Sequence, residues 1–206
     1  MNVFKKFMIG STVLGVIGVI SGSIFVAYIS KKLPDIDSIN TYIPAETTKI
    51  YAKDGTVLAE LHQEENRILI PIEKISPNII KTVIALEDTD FYKHNGINIK
   101  GIMRALYVDI KAMSFVEGGS TLTQQLARNL FLYKQKKIIR KLAEMVLAIK
   151  IEKKFSKTEI LEMYLNQVYW GHNAYGIESA SNLYFGKHAS ELSVAESAML
   201  VGLLKG

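Results

Sequence analysis

The sequence predicts a mainly helical domain with a small β hairpin, preceded by one transmembrane helix, and three observations carry that expectation. Residues 7–29 form an uncharged apolar run, short β-prone segments flank an Asp-Gly pair at Asp54-Gly55, and from Ser76 onward apolar residues recur every three or four positions behind serine caps. Strand and helix patterns do not alternate regularly, which argues against a parallel-sheet enzyme, and there is no internal repeat or low-complexity tract.

The first element is the run from Phe7 to Ile29, bounded by Lys5 and Lys6 before it and Lys31 and Lys32 after it. At about 1.5 Å per residue its 23 positions reach across a hydrocarbon core of about 30 Å. Its length exceeds a signal-peptide core and the VAYIS ahead of Lys31 is a poor cleavage site, so an uncleaved anchor is expected. A buried soluble helix is the other reading, weakened by the lack of any polar face. Lysines flank both sides, so the charge rule orients the span only weakly; the six-residue leader points to a cytoplasmic N-terminus with the remainder outside.

Next come a polar stalk, KKLPDIDSINTYIP, and the hairpin, with strands at Thr47 to Ala52 and Val57 to Leu61 around Lys53-Asp54-Gly55-Thr56. A helix follows Ser76, where a cap precedes proline at the first helical position, and Ile80, Val83, Ile84 and Glu87 share its face. A second helix starts near Ser120, with Leu122, Leu126 and Leu130 on one side and Thr121, Gln125 and Arg128 on the other, the polar trio facing a cleft. Gly118-Gly119 ahead of it leaves room for a ligand. A third helix spans Lys137 to Lys153, with Glu144 one turn beyond Arg140. The last two open on capping boxes, Ser156 with Glu159 and Ser193 with Glu196.

The formal charge is +5, and ten lysines or arginines between Arg128 and Lys157 face only Glu144 and Glu152. Such a field suits an anionic lipid surface or a phosphate-bearing ligand. Nucleic acid is the poorest partner, since a membrane anchor is expected and no zinc-finger or aromatic RNA-binding motif is present. With no cysteine there is no disulfide and no thiolate nucleophile, and the four histidines form no ligand pair, so no metal site is assigned.

Residue type and position single out Glu87, Asp88, His94, Thr121, Gln125, Arg128, Arg140, Lys141 and Glu144. Two carboxylates on helices in a basic region can divide acid and base work. Plainer readings stand beside this one. Glu87 can cap its segment, Glu144 can neutralise Arg140, His94 can close the turn at Asn95-Gly96, and Thr121 and Gln125 can be solvated helix residues. Residues from Met103 to Val116 read equally as core or as a lip dipping into lipid.

Five blocks give a more specific reading: EDTDFYKHNG at Glu87 to Gly96, GGSTLTQQLARN at Gly118 to Asn129, RKLAE at Arg140 to Glu144, KTEILEMYLNQVYWG at Lys157 to Gly171, and SVAESAMLVGLLKG at the end. In content and order they resemble glycosyltransferase family 51, the transglycosylase domain of class A penicillin-binding proteins and monofunctional peptidoglycan transglycosylases. The resemblance covers Ile72 to Gly206 and implies a partly lysozyme-like fold. It also implies an enzyme that polymerises lipid II into β-1,4-linked glycan with inversion, releasing undecaprenyl pyrophosphate.

By this resemblance Glu87 is the general base and Glu144 the second essential carboxylate, assisting the departing pyrophosphate or its cation. Asp88, Phe91, His94, Thr121, Gln125, Arg128, Arg140 and Lys141 match substrate-binding positions. Arg128 departs from the lysine common there, exchanging a compact charge for a planar fork. Glu162 is assigned a structural role. The implied cofactor is none that binds tightly, with a divalent cation such as Mg2+ or Mn2+ carried by substrate phosphate. The implied partners are lipid II, the growing glycan strand, the plasma membrane, and cell-wall synthesis and division proteins.

The expected layout is therefore a cytoplasmic leader at 1–6, an anchor at 7–29, an extracytoplasmic stalk and hairpin at 30–71, and the glycosyltransferase domain at 72–206. The last block breaks off at Gly206, so that domain is expected to be truncated at its C-terminus. A lysozyme-like hydrolase and a lipid-II-binding scaffold are the competing functional classes.

Overall fold

A computed structural model describes residues 48–54, 57–61, 66–114, 118–132 and 137–204, with positions 12, 16, 20, 21, 27–31, 33 and 34 of the N-terminal segment. The expected anchor at 7–29 lies largely outside the described residues, and among those described no helix is long and apolar enough to cross a membrane. The hairpin is present as β1 (Thr48–Tyr51) and β2 (Val57–Leu61), antiparallel, with an irregularity between Ile50 and Tyr51.

Seven helices follow among the described residues: α1 (Pro77–Glu87), α2 (Ile99–Ala112), α3 (Leu122–Phe131), α4 (Lys137–Lys154), α5 (Lys157–Gln167), α6 (Ile177–Phe185) and α7 (Val194–Leu203). α3 packs on α4 and α5, and α1 packs on α7. The core these contacts close contains Ile79, Val83, Leu122, Leu126, Leu147, Ile151, Tyr164, Leu165 and Trp170, all buried. Leu122 and Leu126 hold α3 down as the apolar spacing predicts, each with the burial of a full aliphatic side chain, about 1.5–3 kcal/mol.

The caps act as the sequence indicates. Ser76 accepts from the Asn78 amide ahead of Pro77 in the first turn, and both serine–glutamate boxes close reciprocally at α5 and α7. Glu162 accepts from the Ile72 amide at 2.8 Å, which ties α5 to the segment leading into α1 and fits its structural assignment.

Three elements are absent from the sequence reading. α2 begins at Asn98, whose side chain accepts from the Gly101 amide. α6 starts at Gly176, at φ 80°, where a Cβ would stand 2.8 Å from the Asn166 carbonyl oxygen; tertiary approach starts this helix without a capping side chain. A two-residue parallel pairing joins β3 (Asn66–Arg67) to β4 (Ala174–Tyr175). The core reading of the α2 segment is corrected: Ile99, Met103, Leu106, Tyr107, Ile110 and Met113 are exposed along one stripe of this amphipathic helix, and Val116 lies outside the described residues.

Candidate active site

The first wall of the site is the C-terminal end of α1. Its apolar face is buried through Ile79 and Val83, so Glu87 arrives at the last helical position on the rim of a cleft of about 560 Å³. Thr121, the cap of α3, with Gln125 and Arg128 of its polar face forms the second wall, and Asn98, Gly101 and Arg104 at α2 join Gly118, Gly119 and Ser120 in the lining. The polar trio therefore faces a cleft, as its helical spacing predicts.

Asp88 locks the two walls together. It is buried, its Oδ2 accepts from the Leu122 amide at 3.0 Å, and both its oxygens lie 3.0 Å from His94 Nε2. A carboxylate at the first turn of α3 also complements the helix dipole. The Gly96 amide donates to His94 Nδ1, so the imidazole proton sits on Nε2 and points at Asp88. His94 thus both closes its turn and buttresses Asp88.

Thr121 is spent in the same way. Its hydroxyl donates to the Gly96 carbonyl at 2.7 Å and accepts from the Gln124 amide, capping α3. Gly96 sits at φ 90°, and a Cβ there would stand 2.8 Å from the Ala148 backbone; only glycine lets this loop seat on α4. Gly119 has a parallel role against α2, where a Cβ would meet Ile102 Cα at 3.1 Å, whereas Gly118 faces open space.

Glu87 differs from its neighbours in having capacity left over. Gln125 Nε2 donates to Oε2 at 2.9 Å, while Oε1 is shielded and has no hydrogen-bond partner among the described residues. Leaving a buried acceptor unpaired costs about 1–3 kcal/mol, and at a cleft wall a substrate donor can recover it.

Glu144 stands elsewhere. It is buried on α4, off the cleft lining, with Lys141 Nζ 3.1 Å from Oε2 and Arg140 Nε 3.5 Å from Oε1. Lys141 also donates to Ser120 Oγ at 2.5 Å and to Gln124 Oε1 at 3.3 Å. Since Ser120 lines the cleft, this cation links Glu144 to the rim. Among the expected site residues the structure thus gathers Glu87, Asp88, Thr121, Gln125 and Arg128 on the cleft and sets Phe91, His94, Arg140, Lys141 and Glu144 behind it.

Phe91 is fully buried, with the Lys157 ammonium 4.3 Å from its ring centroid. Lys157 also donates to the His94 carbonyl and to Glu152, which accepts from Thr123. Sequence reasoning missed Lys157, Glu152, Arg104 and Tyr164. Lys157 and Tyr164 carried a signal, lying within the KTEILEMYLNQVYWG block, whereas Glu152 and Arg104 stand outside the five blocks.

For a metal, the donor set is the test. Among the described residues no three His, Asp or Glu side chains are grouped to hold one, and both Glu144 oxygens are engaged by cations. Among the described residues the donor set does not fit a resident metal.

A helical domain whose cleft combines an under-committed carboxylate with Arg104 and Arg128 is the framework of an enzyme. The family model described as Transglycosylase matches residues 54–206. Penicillin-binding protein 2D of Bacillus subtilis is 48% identical over 161 residues, 78% of this chain and 23% of that protein. Penicillin-binding protein 1A of Aquifex aeolicus is 42% identical over 203 residues, 98% of this chain and 28% of that protein. Penicillin-binding protein 1A of Escherichia coli is 39% identical over 207 residues, covering 100% of this chain and 24% of that protein. The chain belongs to the transglycosylase family, glycosyltransferase family 51. It spans about a quarter of the length of the curated relatives it matches.

Proposed function

We propose that this chain is a peptidoglycan glycosyltransferase that joins lipid-linked disaccharides into β-1,4 glycan. The observation that carries the reading is Glu87: a shielded carboxylate on the cleft wall, one oxygen held by Gln125 and the other free to accept. Glu87 takes the proton of the acceptor's 4-hydroxyl as that oxygen attacks carbon 1 of the donor. The α-linked undecaprenyl pyrophosphate leaves from the opposite face, so the new bond is β. Removing the proton during attack matters because a neutral hydroxyl is a weak nucleophile.

The leaving diphosphate gathers negative charge, and Arg128 on the cleft wall supplies a guanidinium for it. Lys141, touching Ser120 at the rim, adds a second cation, with Arg140 and Glu144 fixing the basic cluster behind it. Here Glu144 acts by orienting cations. Any divalent ion, Mg2+ or Mn2+, arrives with the substrate's phosphates.

Substrate delivery belongs to the membrane. The exposed stripe of Met103, Leu106, Tyr107, Ile110 and Met113 lies on α2, the helix that also gives Gly101 and Arg104 to the cleft. A stripe of this kind beside a polar cleft suits partial insertion into lipid, which keeps the polyprenyl tail in the bilayer and the sugar diphosphate at the site. We place the domain on the extracytoplasmic face of a bacterial plasma membrane, held by the 7–29 anchor.

The deciding experiment supplies the 206-residue chain with lipid II and, separately, with finished glycan strands. Polymer from lipid II and no cleavage of glycan is the expected result. Cleavage without polymerisation would replace this reading with a hydrolase.

A further inference from the structure

Gln125 holds Glu87, and what holds Gln125 lies deeper in the domain. Tyr164 of α5 is fully buried, and its Oη donates to Gln125 Oε1 at 3.1 Å while Gln125 Nε2 donates to Glu87 Oε2 at 2.9 Å. Side chains from α1, α3 and α5 thus form one relay. Chemistry fixes its direction. An ionised carboxylate only accepts, so Gln125 turns its NH2 toward Glu87 and its carbonyl oxygen toward Tyr164, where a donor must meet it. Burial first, and then the nearby Glu87 charge, push the Tyr164 phenol well above its ordinary range, so the hydroxyl keeps its proton to give.

We propose that Tyr164 is a positioning residue for the transfer reaction, acting through Gln125 to hold Glu87 with one oxygen free for the acceptor hydroxyl. This rests on the reading of Glu87 as the base. Donation from Tyr164 polarises the amide and strengthens the Nε2–H bond to the carboxylate. Without Oη, the Gln125 carbonyl loses its buried partner and the amide rotates. Its oxygen can then face Glu87 only when Glu87 carries a proton, the state in which a base is idle. The phenol ring itself fills core space, and Tyr164→Phe removes the donor while keeping the ring.

The test measures steady-state polymerisation of lipid II in detergent micelles for the parent, Tyr164→Phe, Gln125→Ala, the double variant and Glu87→Gln, with the thermal midpoint of each. For Tyr164→Phe, kcat falls about three- to tenfold, the worth of one buried hydrogen bond. KM stays within about twofold, because only the positioning of the base has changed. In the Gln125→Ala background the same substitution changes kcat by less than about twofold.

A parent-like rate for Tyr164→Phe overturns the proposal. So does an equal loss in both backgrounds, which marks Tyr164 as packing alone. Glu87→Gln separates the two readings: a parent-like rate there removes the base assignment itself, whereas an inactive Glu87→Gln beside a parent-like Tyr164→Phe removes only the relay. Independently of turnover, the Gln125 side-chain NH2 protons exchange faster with solvent in Tyr164→Phe than in the parent; equal exchange counts against the relay.

Discussion

Two carboxylates with different commitments, Glu178 and Glu87, invite comparison. Glu178, at the start of α6, has every oxygen occupied: Oε1 by His188 Nδ1 at 2.7 Å and Asn182 Nδ2 at 3.3 Å, Oε2 by the Ala189 amide at 2.8 Å. Glu87 is also shielded, yet one of its oxygens is left without a partner on the cleft wall. Glu178 is buried and Glu87 half-buried with one oxygen shielded; unspent hydrogen-bonding capacity belongs to Glu87 alone of the two. The first arrangement holds a loop against a helix, and the second is available to a substrate. Glu144 resembles Glu178 more than Glu87, being committed to Lys141 and Arg140.

Five changes test that contrast, beginning with the largest effect. Glu87→Gln keeps the shape and the bond-forming capacity toward Gln125 after an amide turn, but cannot take a proton. Turnover of lipid II is expected to fall by about 10²–10⁴ with the thermal midpoint within about 2 °C of the parent. Equal losses of rate and midpoint would erase the distinction from Glu178.

Gly96→Ala strikes the seat of the cleft wall. A Cβ at φ 90° and 2.8 Å from the Ala148 backbone forces the loop off α4, at a cost of about 2–4 kcal/mol read from the denaturant midpoint. Because Thr121 donates to the Gly96 carbonyl, turnover should fall along with stability.

Glu178→Gln gives the reverse of Glu87→Gln. Losing the charge-assisted bonds to His188 and the Ala189 amide should cost about 1–3 kcal/mol of stability while the rate per folded molecule stays at the parent level.

The smallest effects are on pH. The bond to Glu178, helped by that residue's charge, raises the His188 imidazole above its ordinary 6.5. Its contribution to stability is complete below pH 6.5 and fades as pH climbs through the raised value. Glu196 has the opposite sign: hydrogen bonds from Lys187 and then Ser193 lower it to about 2, so its contribution stands above its ordinary 4.5 and is lost on acidification toward 2. Thermal midpoints of His188→Asn and Lys187→Met against pH should approach the parent on the alkaline and acid sides respectively. The His188 ring is exposed and the Lys187–Glu196 pair partly so, and solvent screening keeps the shifts small.

Local signals made much of this legible before the fold was known. Ser156 with Glu159, Ser193 with Glu196, and the Thr121, Gln125 and Arg128 face are each written within one helical turn or two, and each occurs as read. The hairpin strands agree to within a residue at each end. What escaped depends on approach through space. α6 starts where Gly176 meets the Asn166 backbone, and Tyr164 finds Gln125 across 39 positions of sequence. Glu144 lies off the cleft lining on α4, which packs against α3, and spacing within α4 alone does not record that contact.

Asp88 and Thr121 line the cleft while also joining its walls. A small-molecule antagonist that grips these two side chains meets positions whose replacement would loosen the enzyme it blocks. The substitutions by which this chain could escape such a compound there and still hold its fold are correspondingly few.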